Sequence, residues 1–343
     1  MNKLLYIIIV IMGMSCAQVT SLNLKKHQFG QIPTKIIWMQ VAGLQEEHLA
    51  MLKFSKQSSG YKTSFEEFLC IGKSWEYNLF KIRPKPYATF QSQLTGKKNI
   101  KNSCEDYSLK PIWKYVMPKG YKVGIFEGEM SRKNSLIQSK QCKKPQNEFL
   151  DGITMWKMNK PSIKGSKLFH LNEKRDYKPS SIYYDKSCLT GECYSTLSQN
   201  ITGVHKEFTR KSKNYVFMVR DFNFSESLNK GNYKKYKSDL IELEKVVRYF
   251  QEESEKRTDM LVLVTTAGTK SIEFPRSGRQ WQAFEKNGSF LANKKTTLIS
   301  TVFATGARAE NFCGIYDQSN ILSRIFSGAK QQGLELAIIN PFN

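Results

Sequence analysis

The chain has 343 residues, of which 53 are Lys or Arg and 30 are Asp or Glu, giving a formal net charge of +23. That length suits one large α/β domain with insertions, or a domain plus a cap, and the charge would draw anionic partners such as lipid head groups, cell-wall polymers or nucleic acid. The lysines are spread along the whole chain without an aromatic–basic motif for nucleic acid, and no run beyond the N-terminus is long and apolar enough to cross a bilayer, which excludes a motif-driven nucleic-acid reader and a multi-span membrane protein.

Residues 1–16 read as an export signal: Lys3 supplies the positive start, Leu4 to Met14 is an apolar run too short for a stable span, and small residues follow. Two cleavage modes remain open. Met12-Gly13-Met14-Ser15-Cys16 fits a permissive lipobox with Cys16 as the lipidated first residue, while Ser15-Cys16-Ala17 suits an ordinary signal peptidase. Either predicts an exported protein of the periplasm or cell envelope, anchored through Cys16 in the first case. Beyond Cys16 the cysteines are Cys70, Cys104, Cys142, Cys188, Cys193 and Cys313, an even set that reads as disulfides in an exported chain. Cys188 and Cys193 are expected to close a small loop around Gly191; the other four allow three connectivities.

The folded domain is expected over 30–343. Ile36–Val41 is a buried-type strand, Ala42-Gly43 turns the chain, and Leu44, Leu49, Leu52 and Phe54 follow on helical spacing. Pro84-Lys85-Pro86 breaks the chain before a short helix through Leu94, closed by Thr95-Gly96. Ile112 to Tyr115 reads as helical and Tyr121–Phe126 as a second strand. Residues 128–213 are rich in Lys, Ser and Asn with weak periodicity, and read as a decorated insertion or cap. Tyr215–Val219 is a third strand. Ser238–Arg257 is the strongest helix, with Ser238 or Asp239 as N-cap and Leu240, Leu243, Val247 and Phe250 on one face. Met260–Val264 and Thr301–Ala304 are further strands. Strands alternating with helices predict a mostly parallel central sheet with helices on both faces, and ligands of such sheets bind at the carboxyl ends of the strands.

The run from Thr301 to Ile325, TVFATGARAENFCGIYDQSNILSRI, resembles the late strand and loop of alkaline phosphatases, and four more segments resemble their active-site segments. The resemblance implies an alkaline-phosphatase-like α/β/α sandwich. It also implies a site with a serine nucleophile, two zinc ions and a magnesium ion, which activate the nucleophile and stabilise the leaving group. The residues at the matching positions do not supply that chemistry. Ala42 stands at the bridging Asp after the first strand, and a methyl group cannot bind a cation. Counting back from Gly96 puts the nucleophile at Pro86, which has no nucleophilic atom. Along Tyr215–Asn229 the expected Glu, Asp and His are Arg220, Ser225 and Asn229. The Asp-His pair after Met260–Val264 is Ala267-Gly268, and the last His is Lys295.

These eight losses span five segments whose flanking strands and Gly43, Gly96, Gly306 and Gly314 still match, so a slip in alignment does not explain them. None of the four histidines, His27, His48, His170 and His205, falls at a ligand position of the family. The expected protein is therefore a pseudoenzyme without zinc or magnesium, acting as a binding or scaffold module. Arg220 and Lys295 are the candidates for holding phosphate or another anion if both face the old cleft, since guanidinium suits phosphate oxygens. One alternative is a divergent phosphomonoester hydrolase using Thr89 as nucleophile with Asp221, Glu226 and a His. The other is a structural envelope lipoprotein with no ligand.

Overall fold

The computed structural model describes residues 32–56, 61–128, 132–161, 166–191, 193–287 and 295–327; the signal segment, Cys16 and His27 lie outside them. The sheet is built from β1 (Lys35–Ala42), β2 (Cys70–Trp75), β3 (Lys122–Glu127), β4 (Thr154–Lys157), β5 (Lys167–Phe169), β6 (Ser181–Asp185), β7 (Tyr215–Asp221), β8 (Met260–Ala267), β9 (Ile299–Gly306) and β10 (Gly314–Asp317). Their order is β10-β2-β9-β8-β1-β7-β3-β4-β6-β5. Only β9 runs against its neighbours β2 and β8. The mostly parallel α/β expectation holds.

β1, β7 and β8 sit in the middle and are buried along almost their whole length. A strand covered on both faces needs apolar side chains at every step, which is why these segments are continuous apolar runs in the sequence. Alternate residues feed two cores. Ile36, Trp38, Val216, Met218, Leu261 and Leu263 face one side, packed by α2 (Pro86–Thr95), α3 (Ile112–Val116) and α8 (Ile321–Phe326). Ile37, Met39, Phe217, Val219, Val262 and Val264 face the other. There α1 (Glu46–Lys56), α4 (Leu197–Thr209), α5 (Asn223–Lys230) and α6 (Tyr233–Glu255) cover them, and α7 (Gly278–Asn287) adds Trp281.

Two expectations need correction. Residues 128–213 do not stand apart as an insertion or cap: β4, β6 and β5 extend the same sheet beyond β3 in parallel, and α4 covers them. Strands of three to five residues carry too little periodicity to be read from sequence. The long helix begins at Tyr233, not near Ser238, because the Asn232 side chain accepts from the Lys235 N–H and Tyr233 and Tyr236 continue the buried face.

The expected Cys188–Cys193 bridge is present, and the other four cysteines pair as Cys70–Cys313 and Cys104–Cys142. The first of these joins β2 to the residue before β10, where Gly314 pairs with Gly72.

Candidate functional site

The carboxyl ends of the central strands bring most of the substituted positions together. Ala42 ends β1 directly opposite Ala267, which ends β8. The next residue, Gly43, has a φ of 88° and donates its N–H to the Ala267 carbonyl at 2.7 Å. A Cβ on Gly43 would fall 3.0 Å from Ser225 Cα, so Ser225 at the start of α5 packs over this turn. Gly268 has a φ of 62°, and a Cβ there would fall 2.4 Å from Pro86 Cγ. The first turn of α2 thus sits directly on the end of β8. Ala42, Pro86, Ser225, Ala267 and Gly268 share one end of the sheet, and only the Ser225 hydroxyl among them carries a side-chain polar atom.

Asn229 and Lys295 lie outward of this cluster and are exposed. The Asn229 Oδ1 accepts from the Lys270 ammonium, two residues past Gly268. Lys295 precedes Thr297, whose N–H donates to the Thr269 carbonyl at 2.8 Å.

At or just inside the strand ends runs a polar row. Register pairs Lys157 on β4 with Glu127 on β3, Glu127 with Arg220 on β7, Arg220 with Gln40 on β1, and Gln40 with Thr265 on β8. Equal register puts all five side chains on one face. The Glu127 carboxylate accepts from Lys157 Nζ at 2.8 Å and from Arg220 Nη1 at 2.8 Å. It also receives the Ser135 hydroxyl and, at 2.9 Å, the Leu136 N–H. Arg220 Nε donates to Gln40 Oε1 at 3.1 Å. Gln93 of α2 carries the row onward, accepting from Gln40 at 3.4 Å and from Thr265 at 2.8 Å. Burial alone would raise the Glu127 carboxyl, but Lys157 and Arg220, with the Lys157 and Ser135 hydrogen bonds, outweigh it and hold it below the usual range.

This row overturns the expected anion clamp. Arg220 is completely buried and its charge is taken up by Glu127, whereas Lys295 is exposed, so the two cations present no common open face. Gln40, Glu127, Lys157 and Thr265 were not singled out from sequence. Their signal is a polar residue at or near the carboxyl end of a strand, and its meaning appears only when register aligns them.

The rearranged hydrolase finds no geometry either. Thr89 is fully buried on α2 and its hydroxyl has no hydrogen-bond partner, so no base is in place to activate it. Asp221 follows Arg220 in the strand and therefore points to the opposite face, into a groove it shares with Ser238 and Asp239 of α6. Burial pushes its carboxyl up to about 7, against one hydrogen bond from the Asn223 N–H. Glu226 lies within α5.

The described histidines are occupied elsewhere. His48 Nδ1 accepts from the Gln45 N–H at 3.2 Å, leaving Nε2 to donate to the Lys270 carbonyl at 2.8 Å, and burial lowers its pKa to about 4. His205 is hydrogen-bonded to the Tyr249 hydroxyl among aromatic rings, and burial lowers it to about 3. His170 is exposed. Glu76 reaches the cluster itself: both its oxygens accept from the Gly268 N–H, at 2.8 and 3.0 Å. Burial pushes it up to about 8.

Zinc and magnesium therefore do not fit these residues. A catalytic zinc wants three protein donors converging on an open position, and magnesium wants carboxylates. At this cluster the strand ends offer methyl groups, a proline ring and the buried Glu76 carboxyl, while Glu127 is taken up by Lys157 and Arg220 and Asp221 faces the opposite side of the sheet. Among the described residues no group of three or more His, Cys, Asp or Glu is placed to hold a metal ion.

The same architecture occurs in solved alkaline phosphatases. The enzyme from the Antarctic bacterium TAB5 superposes with a TM-score of 0.63 at 12% identity, covering 87% of this chain and 98% of that one. The Thermus thermophilus alkaline phosphatase gives 0.65 at 11% identity, over 90% and 93% of the two chains. The cold-active enzyme from Shewanella sp. gives 0.60 at 12%, over 85% and 99%. No protein-family model matches the sequence, and no curated protein matches it.

Proposed function

We propose that this chain, built on the alkaline-phosphatase fold, is an exported pseudoenzyme that keeps the architecture as a binding or scaffold module and has lost the metal-dependent reaction. The observation that carries this reading is the meeting of Ala42, Pro86, Ala267 and Gly268 at one end of the sheet, where the chemistry of the family would need ligands and a nucleophile. Fold and function part readily in this way, because the reaction lives in a few side chains and the fold in the packing beneath them.

The polar row supports the same reading from the other side. A vacated metal site leaves strand ends that must be neutralised or filled, and here Arg220 and Lys157 bring cationic groups to a buried carboxylate. That arrangement holds structure together; it offers no open cation for a phosphate. Contact with an anionic envelope component would accordingly fall to the basic outer surface.

The test is hydrolysis of p-nitrophenyl phosphate by the purified exported protein with zinc and magnesium supplied. The expected result is a rate equal to that of buffer. Turnover that a chelator abolishes would overturn the proposal.

A further inference from the structure

We propose that the loop between β2 and α2, residues 76–85, is a membrane-docking element that inserts Leu79, Phe80 and Ile82 into the surface of an anionic lipid bilayer. These three side chains are 70%, 53% and 74% exposed. They are interleaved with the exposed cations Lys81, Arg83 and Lys85. Trp75 and Tyr77, 39% and 40% exposed, stand at the base of the loop, the level at which amphipathic aromatic rings settle between hydrocarbon and water.

The loop is built to hold this display. The Asn78 Oδ1 accepts from the Phe80 and Lys81 N–H groups at 2.8 and 2.7 Å, and the Asn78 N–H donates to the Lys81 carbonyl at 3.0 Å. The Leu79 N–H donates to the Lys98 carbonyl at 3.0 Å, tying the tip to the segment after α2. Gln318 Nε2 donates to the Tyr77 carbonyl at 3.0 Å from below. Apolar side chains held outward by a hydrogen-bonded turn bring little ordering cost to insertion.

Charge selects the occupant. Between Tyr77 and Asn102 there are six cations and no Asp or Glu. Lys98 and Lys101 are paired with Asp317 and Glu105 from outside that stretch, and the positive face of the loop is carried by the exposed Lys81, Arg83 and Lys85. A second copy seated on the same face would set these cations against their own kind, which is repulsive. A bilayer carrying anionic lipid satisfies both halves of the surface, since apolar tips enter the acyl boundary while Lys and Arg meet the head groups. Because the loop leads directly into Pro86, docking would turn the carboxyl ends of the strands toward the membrane.

Flotation of the mature protein with phosphatidylcholine vesicles, with and without about a third phosphatidylglycerol, tests this. Binding to the anionic vesicles is expected, weakened by salt and at least about tenfold stronger than to phosphatidylcholine alone. The triple variant Leu79→Ser, Phe80→Ser, Ile82→Ser should melt like the parent, since the side chains are exposed, and should bind the anionic vesicles about tenfold or more weakly. Tyr194→Ser, which removes an 81% exposed ring on another loop, should leave binding unchanged. Failure of the parent protein to bind, or equal binding by the triple variant, would overturn the proposal. So would a concentration-dependent dimer in solution that the triple variant abolishes.

Discussion

Glu76 and Arg220 occupy neighbouring parts of the same strand-end region under opposite electrostatic conditions. Glu76 has the Gly268 N–H for company and burial has raised its pKa to about 8, whereas an unfolded Glu ionises near about 4. Between those values the folded chain holds a proton that the unfolded chain has released, so this group makes stability fall as pH rises through that window. Glu76→Gln keeps an acceptor for Gly268 and removes the titration. Its stability relative to the parent should therefore improve from pH 5 to pH 8, by on the order of 1–3 kcal/mol, read from denaturant unfolding at the two pH values. Glu127 has the opposite sign: its carboxyl is held low, so its contribution is lost as pH falls through the acid range. Arg220→Ala would remove one of the two cations paired with Glu127 and strip the hydrogen bond from Gln40, costing about 3–5 kcal/mol in the same measurement.

The strands and helices differ in how openly the sequence announces them. β1, β7 and β8 carry long apolar runs because both faces are covered, and each is legible as a strand; β9 is equally buried but mixes Ser300, Thr301 and Thr305 with its apolar residues, and only Thr301–Ala304 of it is legible. β2 alternates buried and more exposed residues within a Gly- and Lys-containing hexamer, too short and polar to be legible as a strand. β4, β5 and β6 were missed for their brevity, which made an edge of the sheet look like an insertion. That β2 edge is held by a covalent tie. The Cys70–Cys313 bridge closes 243 residues, while Cys188–Cys193 closes 5. If the bridges act mainly on the unfolded chain, removing the first should cost about 5 kcal/mol and the second about 2. Paired Cys→Ser variants compared by chemical unfolding would show whether the order holds.

Taken as a whole, the molecule has the architecture of solved alkaline phosphatases with Ala42, Pro86, Ala267 and Gly268 meeting at one end of its sheet. That Ala42, Pro86, Ala267 and Gly268 bring no ligand side chains is legible in the sequence, because each is inert by its own residue type. What lies beside them is not, because a row of Lys157, Glu127, Arg220, Gln40 and Thr265 exists only through the register of five strands. Arg220 in isolation suggested an open cation for phosphate; with Glu127 opposite, it is an internal ion pair. The most direct measurement is the metal content of the purified protein after dialysis against zinc and magnesium and then gel filtration. No metal retained per chain, with a melting temperature indifferent to chelator, is the predicted result. One or more zinc ions held per chain, with melting lowered by a chelator, would contradict it.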